Sequence, residues 1–472
     1  MKRLFHVILA VSCLLLALTA CQTAQTPDTV PEEPAVTEPE ETPEPEADPE
    51  PEPDPALSQR DRDWIEDIEY LRTEYKARHC DPFYLCSEEE FDWRVDRLIA
   101  QVGELSDSDV YLEISAIIAR MGDPHTFARP SESFYERLFP ASAAYYDSKM
   151  YLTACLEGYE YLEPYLLREI VAVNGVDIAY INQKLNCMGN YFNTWYNQAI
   201  FGAPLYFSPA FFDWVGCDYK EGYTFQILNE NQEVESVEIP AVAEDVYMEA
   251  MGAGVIRHEN RDSLVYLKGG NWVEFYDGEN GGYIYMSLSS LPVSSPSSMQ
   301  TLAFGVNKQR EAHPECEKLA VDLRRCPGGD ASDIVGFENN IDMLRMEQVY
   351  VLTSGYTASA ATSVMAFFKH ELGAVFVGEP TGQFPSCFHM SSSATHPAIL
   401  PNSQIEVQVS DDWYTPKDFR EDWAPAVEEY YDEDGKLYEW ESTILPDVYV
   451  HQDIDGIRQG KDSVLQWVLA QK

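Results

Sequence analysis

Two short runs of almost unbroken apolar residues, KLAVDL at 318–323 and QVYVLT at 348–353, constrain this chain more than any other feature. A strand wetted on one face alternates apolar and polar residues, so a run apolar at nearly every position has to be covered on both faces. Each run ends in a turn of small residues, Pro327-Gly328-Gly329 in one case and Ser354-Gly355 in the other, and a helical pattern follows. Buried strands joined through helices form parallel sheets, and the expected fold class is therefore α/β.

The rest of the body supplies more elements. Ser87 followed by Glu90 caps a helix carrying Phe91, Val95, Leu98, Ile99 and Val102, and a second helix begins behind Ser106 and carries Val110, Ile114, Ile117, Ile118 and Met121. Gly122 and Pro124 stop it, which leaves His125 in the loop just beyond. Residues 169–185 read as strand, Asn-Gly turn, short strand and helix; 225–240 read as a hairpin; SLVYLK, WVEFY and GYIYMSL read as strands; and EYYDEDGKLYEW reads as an exposed hairpin around Asp434-Gly435.

Ahead of this body the composition changes twice. Lys2 and Arg3, an apolar stretch over 4–18 and small residues before Cys21 make a secretory signal. Its end, LTAC, resembles the lipobox of bacterial lipoproteins, which implies an acyl group on Cys21 and a lipid-anchored protein at the extracytoplasmic face of the cell membrane. Residues 22–57 hold ten Pro and twelve Asp or Glu, the makings of a solvated, extended linker. The whole chain of 472 residues has a formal charge of −48 and no basic stripe, which argues against nucleic-acid binding.

Outside the signal and lipobox eight cysteines remain, an even number in an exported chain, and Cys80 with Cys86, on either side of Pro82, are expected to form a local disulfide. The absence of CxxC pairs and His-rich clusters speaks against a metal, and no cofactor is expected. HExxH, GxSxG and the phosphate-binding P-loop pattern are also missing.

Chemistry points to three separated segments. In VYVLTSGYTASAATSVMAFFK, Ser359 falls at the start of a helix of small residues, where free amides can receive a developing oxyanion. Taken alone, such a serine reads as a cap or packing residue. The glycines of KLAVDLRRCPGGD free backbone amides to face a ligand, and MGDPHTFARP offers His125 as a base for a serine hydroxyl. His370 reads as solvent-facing and His79 as a local loop contact.

These motifs, together with RHCDPFY, EIVAVNGV, GEPTG, LPNS, LPDVYV and GKDSVLQWVL, resemble the tail-specific or C-terminal processing serine peptidases and their tricorn-core and retinoid-binding-protein-like relatives, over nearly the whole body. The resemblance implies a ClpP/crotonase-like α/β core behind an N-terminal helical segment and a degenerate PDZ-like insert. The expected divisions are a signal at 1–21, a linker at 22–57, a helical segment at 58–130, the PDZ-like region at 131–262 and the peptidase core at 263–472. It implies Ser359 as nucleophile, Ala360 and Gly328 or Gly329 as oxyanion-hole donors, and protein or peptide substrates. Gln383 stands near the place of the processing peptidases' general-base lysine, so the tricorn-like arrangement with His125 as base is expected instead. That arrangement implies a C-terminal acid, matched by Glu441, with Glu439 as a neighbour in the same stretch. The missing lysine also motivates the alternative of an inactive pseudo-peptidase that binds peptides or protein termini.

Overall fold

A computed structural model describes residues 57–471, apart from 131, 189–192, 203–205, 218–221, 279–280, 292–297, 341–345, 386, 391–396, 415–425 and 432–436. Cys21 and the linker up to residue 56 lie outside the described residues. Three helices lead the body: α1 (Gln59–Arg78), α2 (Glu88–Gln101) and α3 (Asp107–Ala119). Each starts on a serine whose hydroxyl accepts from the amide three residues on, Ser58 from Asp61, Ser87 from Glu90 and Ser106 from Asp109. Val110, Ile114, Ile117 and Ile118 of α3 are buried, and Gly122, at φ +82°, turns the chain after the helix end.

Residues 141–257 contribute a seven-stranded antiparallel sheet. The Asn-Gly turn is present, with Asn174 at φ 48° and Gly175 at φ 79° between Glu169–Val173 and Val176–Asp177, followed by the helix Ile178–Met188. Thr224–Leu228 and Val234–Glu238 form the expected hairpin. The description of this region as PDZ-like rests on the sequence resemblance alone.

The core is a six-stranded sheet whose strands lie side by side in chain order: β1 (Trp272–Tyr276), β2 (Tyr283–Ser287), β3 (Lys318–Asp322), β4 (Gln348–Thr353), β5 (Val375–Gly378) and β6 (Val448–Tyr449). β1 is antiparallel to β2, and every later neighbour pair is parallel. The unbroken apolar runs are explained by a cover on each face. Ile284, Met286, Leu319, Val321, Val349 and Val351 pack against the crossover helices α4 (Ser298–Ala312) and α5 (Ala360–Leu372). Tyr283, Tyr285, Ala320, Tyr350, Leu352 and Val377 alternate with them and meet Val464, Leu465 and Val468 of α6 (Ser463–Ala470). Each large side chain so buried contributes about 1.5–3 kcal/mol.

Several expectations are corrected. SLVYLK is not a strand but a pair of 3₁₀ turns, Arg261–Ser263 and Val265–Lys268. Its apolar residues find separate partners in place of a sheet neighbour: Leu264 packs with Leu167 and Ile457, and Tyr266 lies under the Arg324 guanidinium at 4.3 Å. Cys80 and Cys86 are free thiols, Cys80 exposed and Cys86 turned into the apolar core of the helical segment, so the expected disulfide is not formed. His370 is half-buried rather than solvent-facing. Among the described residues no helix is long and apolar enough to cross a membrane, and no three metal-ligating side chains gather.

Candidate active site

The turns after β3 and β4 are stitched together at the C-terminal end of the parallel strands. Ser354 Oγ donates to the Arg324 carbonyl at 2.8 Å, Thr357 Oγ1 to the Leu323 carbonyl at 2.9 Å, and the Ala358 amide to the Cys326 carbonyl at 3.2 Å. α5 opens at Ala360 with Ser359 just before it, at φ 52° and ψ −132°. An L-residue is strained at such a torsion, and strain of this kind persists where the surroundings impose it. The Ser359 hydroxyl makes no capping bond, which removes the helix-cap account of this serine.

Gly328 and Gly329 sit at φ 117° and 134°. A Cβ on Gly328 would come within 2.6 Å of Ser359 Cβ and 2.9 Å of the Ala360 amide nitrogen, so only glycine permits this approach. Among the described residues the amides of Gly328, Gly329 and Ala360 have no backbone acceptor.

His125 arrives from the loop after α3. Its Nε2 lies 3.2 Å from Ser359 Oγ, joining residues 234 positions apart. The loop is held from several sides. Asp123 Oδ1 accepts from the His125 amide at 2.7 Å, and Asp123 Oδ2 accepts from Thr126 Oγ1 and faces His79 Nε2 at 3.0 Å. Because His79 Nδ1 accepts from the Asp81 amide at 3.1 Å, its Nε2 carries the proton and donates to Asp123. Gln408 Nε2 donates to the His125 carbonyl at 2.9 Å, the Ser410 amide donates to Thr126 Oγ1 at 2.9 Å, and Phe127–Ala128 pairs with Glu406–Gln408.

Burial pushes the His125 imidazole below its ordinary value, against the raising pull of Asp123 and the Phe388 carbonyl and with His389 adding to the fall. The ring is therefore neutral near pH 7 and able to accept a proton. Burial works to raise the Asp123 carboxyl as well, but hydrogen bonding to and attraction by His79, with His125 adding, hold it below the usual carboxylate value.

His79 makes the local loop contact the sequence suggested, through the Asp81 amide, but its pairing with Asp123 escaped the sequence reading, as did Asp123 itself. Asp123, two residues before His125, bears an Asx-turn signal, the side chain accepting from the amide two on; the His79 contact spans 44 residues and left no local signal. Glu441 lies on the strand Leu437–Thr443 opposite Val427, and Glu439 opposite Glu429; their side chains are outside the described set. Gln383 is beside the nucleophile, its Oε1 accepting from the Ser359 amide at 2.7 Å.

Fold and site together define an α/β protein with a serine–histidine pair at the C-terminal edge of a mostly parallel sheet. Its fold is that of CPAF, in line with the architecture the sequence motifs imply. Mature CPAF in complex with lactacystin matches with a TM-score of 0.53 and 12% identity over 87% of this chain and 97% of that one. A CPAF mutant matches at 0.54 and 11% identity over 88% and 99%. The photosystem II D1 C-terminal processing protease aligns at a TM-score of 0.36, with 12% identity over 86% and 99%. At these identities the CPAF likeness is one of fold. No protein-family model matches the sequence, and a search of curated protein sequences finds no match.

Proposed function

We propose that this chain is an exported serine peptidase, anchored to the membrane by a lipid on Cys21, that hydrolyses protein or peptide substrates. The contact that carries this reading is His125 Nε2 at 3.2 Å from Ser359 Oγ. Ser359 Oγ attacks the peptide carbonyl carbon while His125 Nε2 takes the hydroxyl proton; the amides of Ala360 and of Gly328 or Gly329 receive the oxyanion. The peptide C–N bond then breaks, with the proton passing from His125 to the leaving amine. Water activated by the same imidazole hydrolyses the acyl-enzyme and restores the serine. The strained Ser359 torsion and the acceptor-free amides support this assignment over a cap or packing role.

A fluorophosphonate probe on the full-length chain tests the reading. Covalent labelling at Ser359, lost in Ser359→Ala and accompanied by hydrolysis of an unstructured protein, is the expected result. A chain that binds peptides but neither labels nor cleaves is instead the pseudo-peptidase that loss of the lysine suggests.

A further inference from the structure

Gln383 is 4% exposed, and its carboxamide is oriented by a donor that cannot reverse its role. The Ser359 backbone N–H only donates, so the Gln383 atom 2.7 Å away is the oxygen. The NH2 group is thereby pointed elsewhere. It is buried, and among the described residues nothing accepts from it. The segment around it is fixed: the Gly382 amide donates to the Thr357 carbonyl at 2.9 Å, and Thr381 Oγ1 donates to the Gln383 carbonyl at 2.8 Å. A rigid buried donor, one hydrogen bond from a serine nucleophile and with no acceptor among the described residues, is placed to donate to a ligand oxygen, because native folds seldom leave such a group unsatisfied.

We infer that Gln383 is a further catalytic residue: Oε1 holds the nucleophile's amide in its strained torsion, and the carboxamide Nε2 donates a hydrogen bond to the acyl oxygen of the peptide under attack. The inference rests on the peptidase reading above. It gives the residue near the lysine's place in processing peptidases a task an amide can perform, since it cannot act as the base. One carboxamide then couples the backbone of the attacking group to the oxygen on which charge develops.

The experiment compares the full-length wild-type chain in detergent micelles with Q383E and Q383M. Q383E retains an oxygen for the Ser359 amide but loses the donor; Q383M is close in size, uncharged and loses both functions. Fluorophosphonate labelling run to completion counts reactive serines, and hydrolysis of an unstructured protein is normalised to that count. Both variants are expected to lose about 10²-fold in kcat, the scale of a missing oxyanion donor, with KM changed much less. Variants turning over within threefold of wild type overturn the inference and leave the peptidase reading standing. A fall in Q383E alone also overturns it, since that marks a charge effect. A wild-type chain that neither labels nor cleaves overturns both.

Discussion

Ser359 joins a strained backbone to a reactive side chain, and the two properties separate on substitution. Ser359→Ala keeps the backbone at φ 52° and removes only the hydroxyl, which caps nothing. Hydrolysis of an unstructured protein should fall by about 10³-fold or more, while the melting transition stays within about 1 kcal/mol of wild type. Retention of a tenth of the activity would rule this serine out as the nucleophile. His125 sets the pH dependence. Its depressed affinity for protons keeps the imidazole neutral to lower pH than an ordinary histidine. The acidic limb of kcat/KM should therefore rise with its midpoint below ~6.5, and an exposed-lysine-like limb at alkaline pH would contradict a histidine base.

The His125 loop is the element on which reactivity depends, and its shape is imposed by Asp123. That carboxylate faces only donors: the His125 amide on one oxygen, His79 and Thr126 on the other. An asparagine in either orientation turns an NH2 group on one of these donors. Asp123→Asn should therefore cost about 3 kcal/mol in urea unfolding and lower kcat/KM through a displaced imidazole. A variant of unchanged stability and activity would show that the Asp123 contacts do not position the loop. The helix before it, α3, was legible in the sequence because caps and apolar spacing act within a few residues. The His79–Asp123 pairing was not, because the two residues come from different helix ends and the pairing exists only after these have packed. The 263–268 segment failed for a related reason: an apolar run does not disclose whether its neighbours will be a sheet or isolated side chains.

Across the whole molecule, Arg324 ties the end of β3 to the start of α6. Its Nε donates to Asp322 Oδ1 at 3.1 Å, and Nη1 and Nη2 reach Asp462 Oδ1 and Oδ2 at 2.8 and 2.7 Å. All three side chains are buried, and Asp462 also caps α6 by accepting from the Leu465 amide at 3.0 Å. Arg324→Ala strands two buried carboxylates and should destabilise the fold by about 3–5 kcal/mol, read as a lower urea midpoint at unchanged slope. An unaltered midpoint would mean that this network adds nothing to the docking of α6.

Local patterns in the sequence were sufficient for the buried parallel strands, the helices capped by Ser87 and Ser106, the Asn-Gly turn and the Gly328-Gly329 turn, since each follows from burial or torsional limits acting over a few residues. They also marked Ser359, His125 and the Gly328-Gly329 turn as chemistry-bearing, though not as a set of contacts. Only the tertiary structure decided that His125 meets Ser359 across 234 residues, that His79 and Asp123 hold the histidine's loop, that Cys80 and Cys86 stay apart as thiols, and that Gln383 faces the nucleophile's amide. These are relations between segments that meet only when the helical layer, the core sheet and the loop after β5 pack together. Each depends on geometry between side chains and backbones that no spacing along the chain encodes.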